Sequence, residues 1–409
     1  MGNILNIINS DKHFYDKNKH WYMECMKGAF WTDEFKKFLR FKLVDVEQIQ
    51  PNEKYIYLVE CRHDNGIYGG LLKIPTKVID LVNEGRCKVI FSFEAEGNLN
   101  VIQFNDWFFL NCKSYEESID FSKFYIFTSD LNCVKNNKTK INFFDSNHHF
   151  DVISNDFYIT YSQGRTWEIA DFNYDFIYHS VSDVDIENKN KYFLSYIRNT
   201  MREHRKNLAA YFQHNGLWEE NNLSFLKSGY SSSNGHHDYL PHKYHKSFIE
   251  LDNLPIQELD THHLEDKQSF NTSLSHDWKH YQETFLSIVS ETLYDNNQNL
   301  FISEKICKPI FNLHPFIVMG TPYFLKKLQE FGFKTFHPFI DESYDLETNH
   351  LKRTEMIFEE LDKFRSKSFD ELKEWWKEIL PILEHNQNVF LKFGQSKTRK
   401  MKLLEKLYD

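Results

Sequence analysis

Short apolar runs, each trailed by a polar loop and then by an amphipathic stretch, set the tightest limit on how this chain folds. YIYLVE (55–60), KVIFSF (88–93) and FYIFTS (124–129) are of strand length and rich in β-branched and aromatic residues, which predicts buried strands. Between the first two, Ile74, Val78, Ile79 and Val82 fall at helical spacing, and Pro75 suits a first helical turn. Strand, helix, strand in that order implies a parallel sheet. The strands run into CRHDNG (61–66), EAEGN (94–98) and DLN (130–132), and the carboxyl ends of strands are where open α/β sheets hold ligands.

The alternation restarts further on. YFLSYI (192–197) leads to a helix over about 203–214 and then to LSFLKS (223–228). FLSIVSET (285–292) is followed by a helix from near Ser303, a strand PFIVMG (315–320) and a helix over 322–331. The His-rich stretch 231–280 has little periodicity and predicts a long irregular insertion. The tail carries an apolar stripe of Trp375, Trp376, Ile379, Leu380 and Leu383. The expected fold is α/β, with two domains and a ligand cleft between them. The domains are drawn at 1–188 and 189–367, with a helical tail over 368–409.

Size and charge agree with this. A chain of 409 residues has room for two domains. With 49 Lys+Arg against 59 Asp+Glu the net charge is -10, which opposes general attraction to a polyanion. The six cysteines form no Cys-x-x-Cys pair, so reduced core thiols are expected, and with them a cytoplasmic location. The N-terminus lacks the features of a secretory signal, and Asn6 stands where myristoylation favours Ser or Thr. The stretch 306–320 is broken by Lys308, Pro309, Asn312, His314 and Pro315, so no membrane span is expected. The sequence holds no Gly-x-Ser-x-Gly elbow, no P-loop and no Gly-x-Gly-x-x-Gly fingerprint, which removes support for serine hydrolases, kinases, P-loop NTPases and dehydrogenases.

The densest chemistry lies in SIVSET (287–292) and the Ser303-Glu304-Lys305 helix start. A carboxylate can bridge two ribose hydroxyls, and an ammonium beside free helix N–H groups can hold a diphosphate. The same three residues also suit an ordinary capped, solvated helix start. Arg198, Arg202 and Arg205 lie at the strand-to-helix passage 193–208, where they could offset charge growing on a leaving diphosphate or simply line a solvated helix face. Adjacent histidines at 148–149, 236–237 and 262–263 do not have the i, i+4 spacing of a helical zinc site, and no metal is expected. The basic segment KTRKMK (397–402) reads as a solvated helix face.

The run SEK (303–305), KPI (308–310), HPF (314–316), GFKTF (332–336) and DESYD (341–345) resembles the donor-binding domain of fucosyltransferase-like inverting glycosyltransferases. More closely, it is similar to glycosyltransferase-like proteins of large tailed phages and related viruses. The resemblance covers about residues 190–360. It implies a GT-B-like arrangement, two Rossmann-like domains facing a central cleft, and a hexosyl- or pentosyltransferase that uses a nucleotide-sugar as co-substrate, with no cofactor and no metal. It also implies that Glu304 holds the donor ribose, that Lys305 and arginines of the 193–208 segment meet the phosphates, Arg198 and Arg205 ahead of Arg202, and that Glu291 is the strand-end acid. Ser290-Glu291-Thr292 stands where the fucosyltransferase pattern has Glu-Asn-Ser, so fucose does not follow. An inverting transfer needs a general base. Glu96, beside Gly97, is the first candidate and Glu94 the second, with His63 and Asp64 on the neighbouring loop. The acceptor implied is a glycan or protein, or a hydroxymethylated base in viral DNA. The alternative is a nucleotide-sugar-binding protein without catalysis.

Overall fold

The computed structural model describes residues 3–8, 39–60, 74–93, 119–128, 140–143, 148–154, 179–199, 202–226, 240–254, 259, 262–263, 269–270, 277–294 and 299–393. These fall into two compact units, one within Met1–Gly164 together with Asn299–Phe301, the other within Arg165–Gln298 and Ile302–Phe393.

The first unit is built on β1 (Asn3–Ile8), β2 (Leu39–Val44), β3 (Tyr55–Glu60), β4 (Cys87–Phe93), β5 (Phe124–Thr128), β6 (Lys140–Phe143) and β7 (His148–Ser154), with helix α1 (Thr76–Asn83) between β3 and β4. The strand order is β2-β1-β3-β4-β5-β7-β6. Every pairing is parallel except β6 with β7. The direction of winding reverses beside β1, the doubly wound order that opens a crevice at the carboxyl ends of the strands. Val78, Ile79, Leu81 and Val82 of α1 and Val89, Ile90 and Phe91 of β4 are buried, as the helical and strand periodicities predict. Burial pushes the Cys87 thiol up to about 12, which leaves it an inert core group.

The second unit carries β8 (Lys191–Asn199), α2 (Glu203–His214), β9 (Asn222–Leu226), α3 (His245–Glu250), the two-residue strands β10 (His262–His263) and β11 (Ser269–Phe270), α4 (Trp278–Glu283), β12 (Thr284–Ser290), α5 (Glu304–Phe311), β13 (Phe316–Met319), α6 (Phe324–Glu330), α7 (His350–Arg365) and α8 (Phe369–Phe393). Its main sheet has the order β13-β12-β8-β9, parallel throughout. Every residue of β12 is buried, as expected of a central parallel strand covered on both faces. Helix α8 is fastened to it by the Trp376 indole N–H, which donates to the Phe285 carbonyl at 2.8 Å.

The α/β class and the two parallel-sheet units therefore agree with the sequence reading. Among the described residues no helix is long and apolar enough to cross a membrane.

The DESYD segment is a fastener. Asp345 accepts from the Leu325 and Lys326 N–H groups at 2.9 and 3.2 Å, capping the first turn of α6. Glu342 accepts from the Phe336 N–H at 2.6 Å, and the Tyr344 hydroxyl lies 3.4 Å from the Val318 amide on β13.

Candidate functional site

The sheet of the second unit brings its chemistry to one corner, where β12 ends and α5 begins. Ser290 closes β12 opposite Met319 of β13, and the Glu291 amide adds one more rung by donating to the Met319 carbonyl at 3.0 Å. Ser303 adopts the extended N-cap conformation of α5, and its hydroxyl accepts from the Lys305 N–H at 3.2 Å. Ile306, Ile310 and Phe311 bury the inner face of α5, which turns its N-terminal end toward the carboxyl edge of the sheet.

At that end the Lys305 ammonium is 2.8 Å from a Glu304 carboxylate oxygen, with the Ser303 and Thr292 hydroxyls at 3.3 and 3.4 Å. The two side chains keep 17% and 27% of their surface open for Glu304 and Lys305, enough for a ligand to reach. Burial acts to raise the Glu304 carboxyl, but the charge of Lys305 and its hydrogen bond outweigh this and hold the group below its ordinary value.

Glu291 behaves in the opposite way. Its side chain is completely enclosed, and burial drives its carboxyl upward against the pull of Lys305 and the Ser303 hydroxyl. One carboxylate oxygen accepts from the Thr292 N–H at 3.2 Å. The other oxygen, Oε1, and the neighbouring Ser290 hydroxyl are buried without a hydrogen-bond partner in the protein. An enclosed acid with an unsatisfied oxygen costs stability, and such groups concentrate at functional sites.

The arginines divide. Arg198 lies in β8, and its side chain is outside the described ones. Arg202 takes the N-cap position of α2 and is half-buried. Arg205 is buried, and its Nη2 donates to the Ser290 and Glu291 carbonyls at 3.4 and 3.2 Å. Its guanidinium thus grips the corner from behind. Glu94 and Glu96 follow β4 in the chain and lie outside the described residues, as do His63 and Asp64.

Sequence reasoning missed His204. Its Nε2 sits 2.8 Å from the Glu291 carbonyl, and its ring stacks on Tyr294 at 5.0 Å. A histidine in the first turn of a helix that leaves a strand was the only signal present. Among the described residues no group of three or more His, Cys, Asp or Glu is placed to hold a metal ion.

No family model and no curated protein matches this sequence. Among solved structures the chain is similar to an α1,3-fucosyltransferase crystallised with GDP, at 11% identity over 100% of this chain and 91% of that one, with a TM-score of 0.39. It is similar to S. aureus MnaA bound to UDP, at 11% identity over 100% and 98%, TM-score 0.39. It is also similar to an α,α-trehalose 6-phosphate synthase from Burkholderia multivorans, at 9% identity over 96% and 78%, TM-score 0.36.

Proposed function

We propose that the protein is a glycosyltransferase that moves a sugar from a nucleotide-sugar donor to an acceptor hydroxyl, with inversion and without a metal. The observation that carries this reading is the Glu304–Lys305 pair, 2.8 Å apart and partly open at the first turn of α5. It lies on the carboxyl edge of a parallel sheet, beside the enclosed acid Glu291. The N–H groups of a first turn lack intrahelical acceptors and favour an anion. Lys305 adds a full positive charge for the diphosphate, and Glu304 accepts from the ribose hydroxyls.

In the step proposed, the acceptor oxygen attacks the anomeric carbon. The bond to the nucleotide's phosphate oxygen breaks, and its electron pair leaves on the diphosphate. Glu96, or failing it Glu94, takes the acceptor's proton. Lys305, the start of α5 and the arginines at 198 and 202 offset the charge growing on the leaving group. Arg205 and Glu291 act from beneath, one by holding the corner and the other by drawing Lys305 toward it. A net charge of -10 favours a glycan or protein acceptor over a DNA base.

Calorimetric titration with nucleotide-sugars, followed by a transfer assay, tests the proposal. Glu304→Ala and Lys305→Ala are each expected to weaken donor binding by about tenfold or more, the loss of one charge-assisted hydrogen bond. Glu96→Gln is expected to keep binding and abolish transfer. Donor binding with no transfer by the unaltered protein would instead make it a binder.

A further inference from the structure

The first turn of α2 does more than start a helix. His204 and Arg205 are both buried there, and both reach the main chain where β12 ends. The Glu291 carbonyl is met by His204 Nε2 at 2.8 Å and by Arg205 Nη2 at 3.2 Å. A carbonyl only accepts, so the imidazole carries its proton on Nε2.

The ring is held in turn from α7. It stacks on Tyr294 with 19° between the planes, and the Tyr294 hydroxyl is 2.7 Å from the Thr354 hydroxyl. The Arg353 guanidinium lies over the Tyr294 ring at 4.3 Å, donates to the Tyr294 carbonyl, and donates to the Glu347 carbonyl at 2.8 Å. Glu291 is joined to Thr292, whose hydroxyl is 3.4 Å from the Lys305 ammonium. An unbroken series of contacts thus runs from α7 through Tyr294 and His204 to the ligand-facing lysine.

We propose that His204 is a positioning residue: through the Glu291 carbonyl it fixes the β12–α5 corner in the geometry from which Lys305 meets the donor diphosphate. This rests on the donor-site reading given above. The charged groups that act on the ring are Arg205, Arg202 and Arg353, all cationic. Burial, and after it these cations, push its pKa well below the ordinary histidine value, in the same direction as the neutral Nε2–H ring that the carbonyl contact requires.

The test compares GDP and UDP binding by the wild-type protein, His204→Phe and His204→Gln, with Tm read for each. Phe keeps the stack on Tyr294 and removes the donor, whereas the Gln amide can place an N–H near the position of Nε2. The expected result is binding weakened about tenfold in His204→Phe at a similar Tm, with most of the loss recovered in His204→Gln. Unchanged binding in His204→Phe, or a Gln variant as weak as Phe, overturns the inference.

Should the Phe variant unfold, nitrogen-15 spectra of wild-type His204 decide. A neutral Nε2–H ring that does not titrate between pH 5 and 8, with a shift that moves when GDP or UDP is added, supports the inference. A titrating ring, or one blind to the nucleotide, overturns it. Failure of the donor-site reading appears separately, as a wild-type protein that binds neither nucleotide, and removes the inference with it. Tight wild-type binding left intact by His204→Phe removes the inference alone.

Discussion

The carboxylate of Glu304 and the ammonium of Lys305 meet at 2.8 Å although the two residues are adjacent in one helix. Neighbours in a helix point about a quarter-turn apart and do not normally face each other. They meet here because both stand in the first turn, where side chains lean back toward the open N-terminal end. The pair therefore stands at the N-terminal end of the helix, beside the Ser303 hydroxyl that caps the Lys305 N–H.

The enclosed Glu291 makes stability depend on pH. Its folded pKa lies above the ordinary value, so between the two values the folded state binds more protons than the unfolded one, and stability falls as pH rises through that window. Glu291→Gln, which keeps the shape and removes the charge, is expected to be more stable than wild type at pH 7, with the gap closing as pH falls through that window toward 4.5. Urea unfolding at a series of pH values reads this directly. A variant less stable than wild type at pH 7 would show that the ionised acid is a net asset to the fold.

Asp345 caps α6 through two backbone N–H groups. Asp345→Ala is expected to cost about 1–2 kcal/mol, the usual loss for a helix cap, while leaving nucleotide affinity within about twofold. Chemical denaturation and calorimetry give both numbers. A large loss of affinity with little loss of stability would place the DESYD segment in the ligand site instead.

Lys189 is buried, donates to the Tyr281 and Thr284 carbonyls at 2.7 and 2.8 Å, and lies 3.8 Å from the centre of the Trp376 ring. Lys189→Met removes the ammonium's bond to the Tyr281 carbonyl, leaves the Thr284 carbonyl to His314 Nε2 at 2.9 Å, and removes a cation–π contact, so a loss of about 2 kcal/mol is expected. Equilibrium unfolding measures it, and a loss under about 1 kcal/mol would show that the methionine variant finds another partner for the Tyr281 carbonyl.

What the sequence made legible is the alternation of β3, α1 and β4, of β8, α2 and β9, and of β12, α5 and β13, because buried parallel strands are short apolar runs set between helical periodicities. The Ser303 cap and the Glu304–Lys305 helix start were equally readable. β1 was not: Asn3 and Asn6 break its apolar run, yet Asn6 is buried, with its amide donating to Glu53 and to the Lys54 carbonyl, both at 3.3 Å. A polar residue whose partner lies about fifty positions away leaves no local trace. β7 was hidden as well, because the adjacent polar residues His148 and His149 open it. The corner at Glu291 was legible in its acid and illegible in its support, since His204, Tyr294 and Arg353 come together only through packing between distant segments.

A crystal of the protein soaked with a nucleotide-sugar tests the central claim most directly. The account predicts the diphosphate within about 3 Å of the Lys305 ammonium and the start of α5, a charge-assisted hydrogen-bond distance, with the ribose hydroxyls on Glu304. A nucleotide bound at another place, with Glu304 and Lys305 left paired to each other and facing solvent, would contradict it.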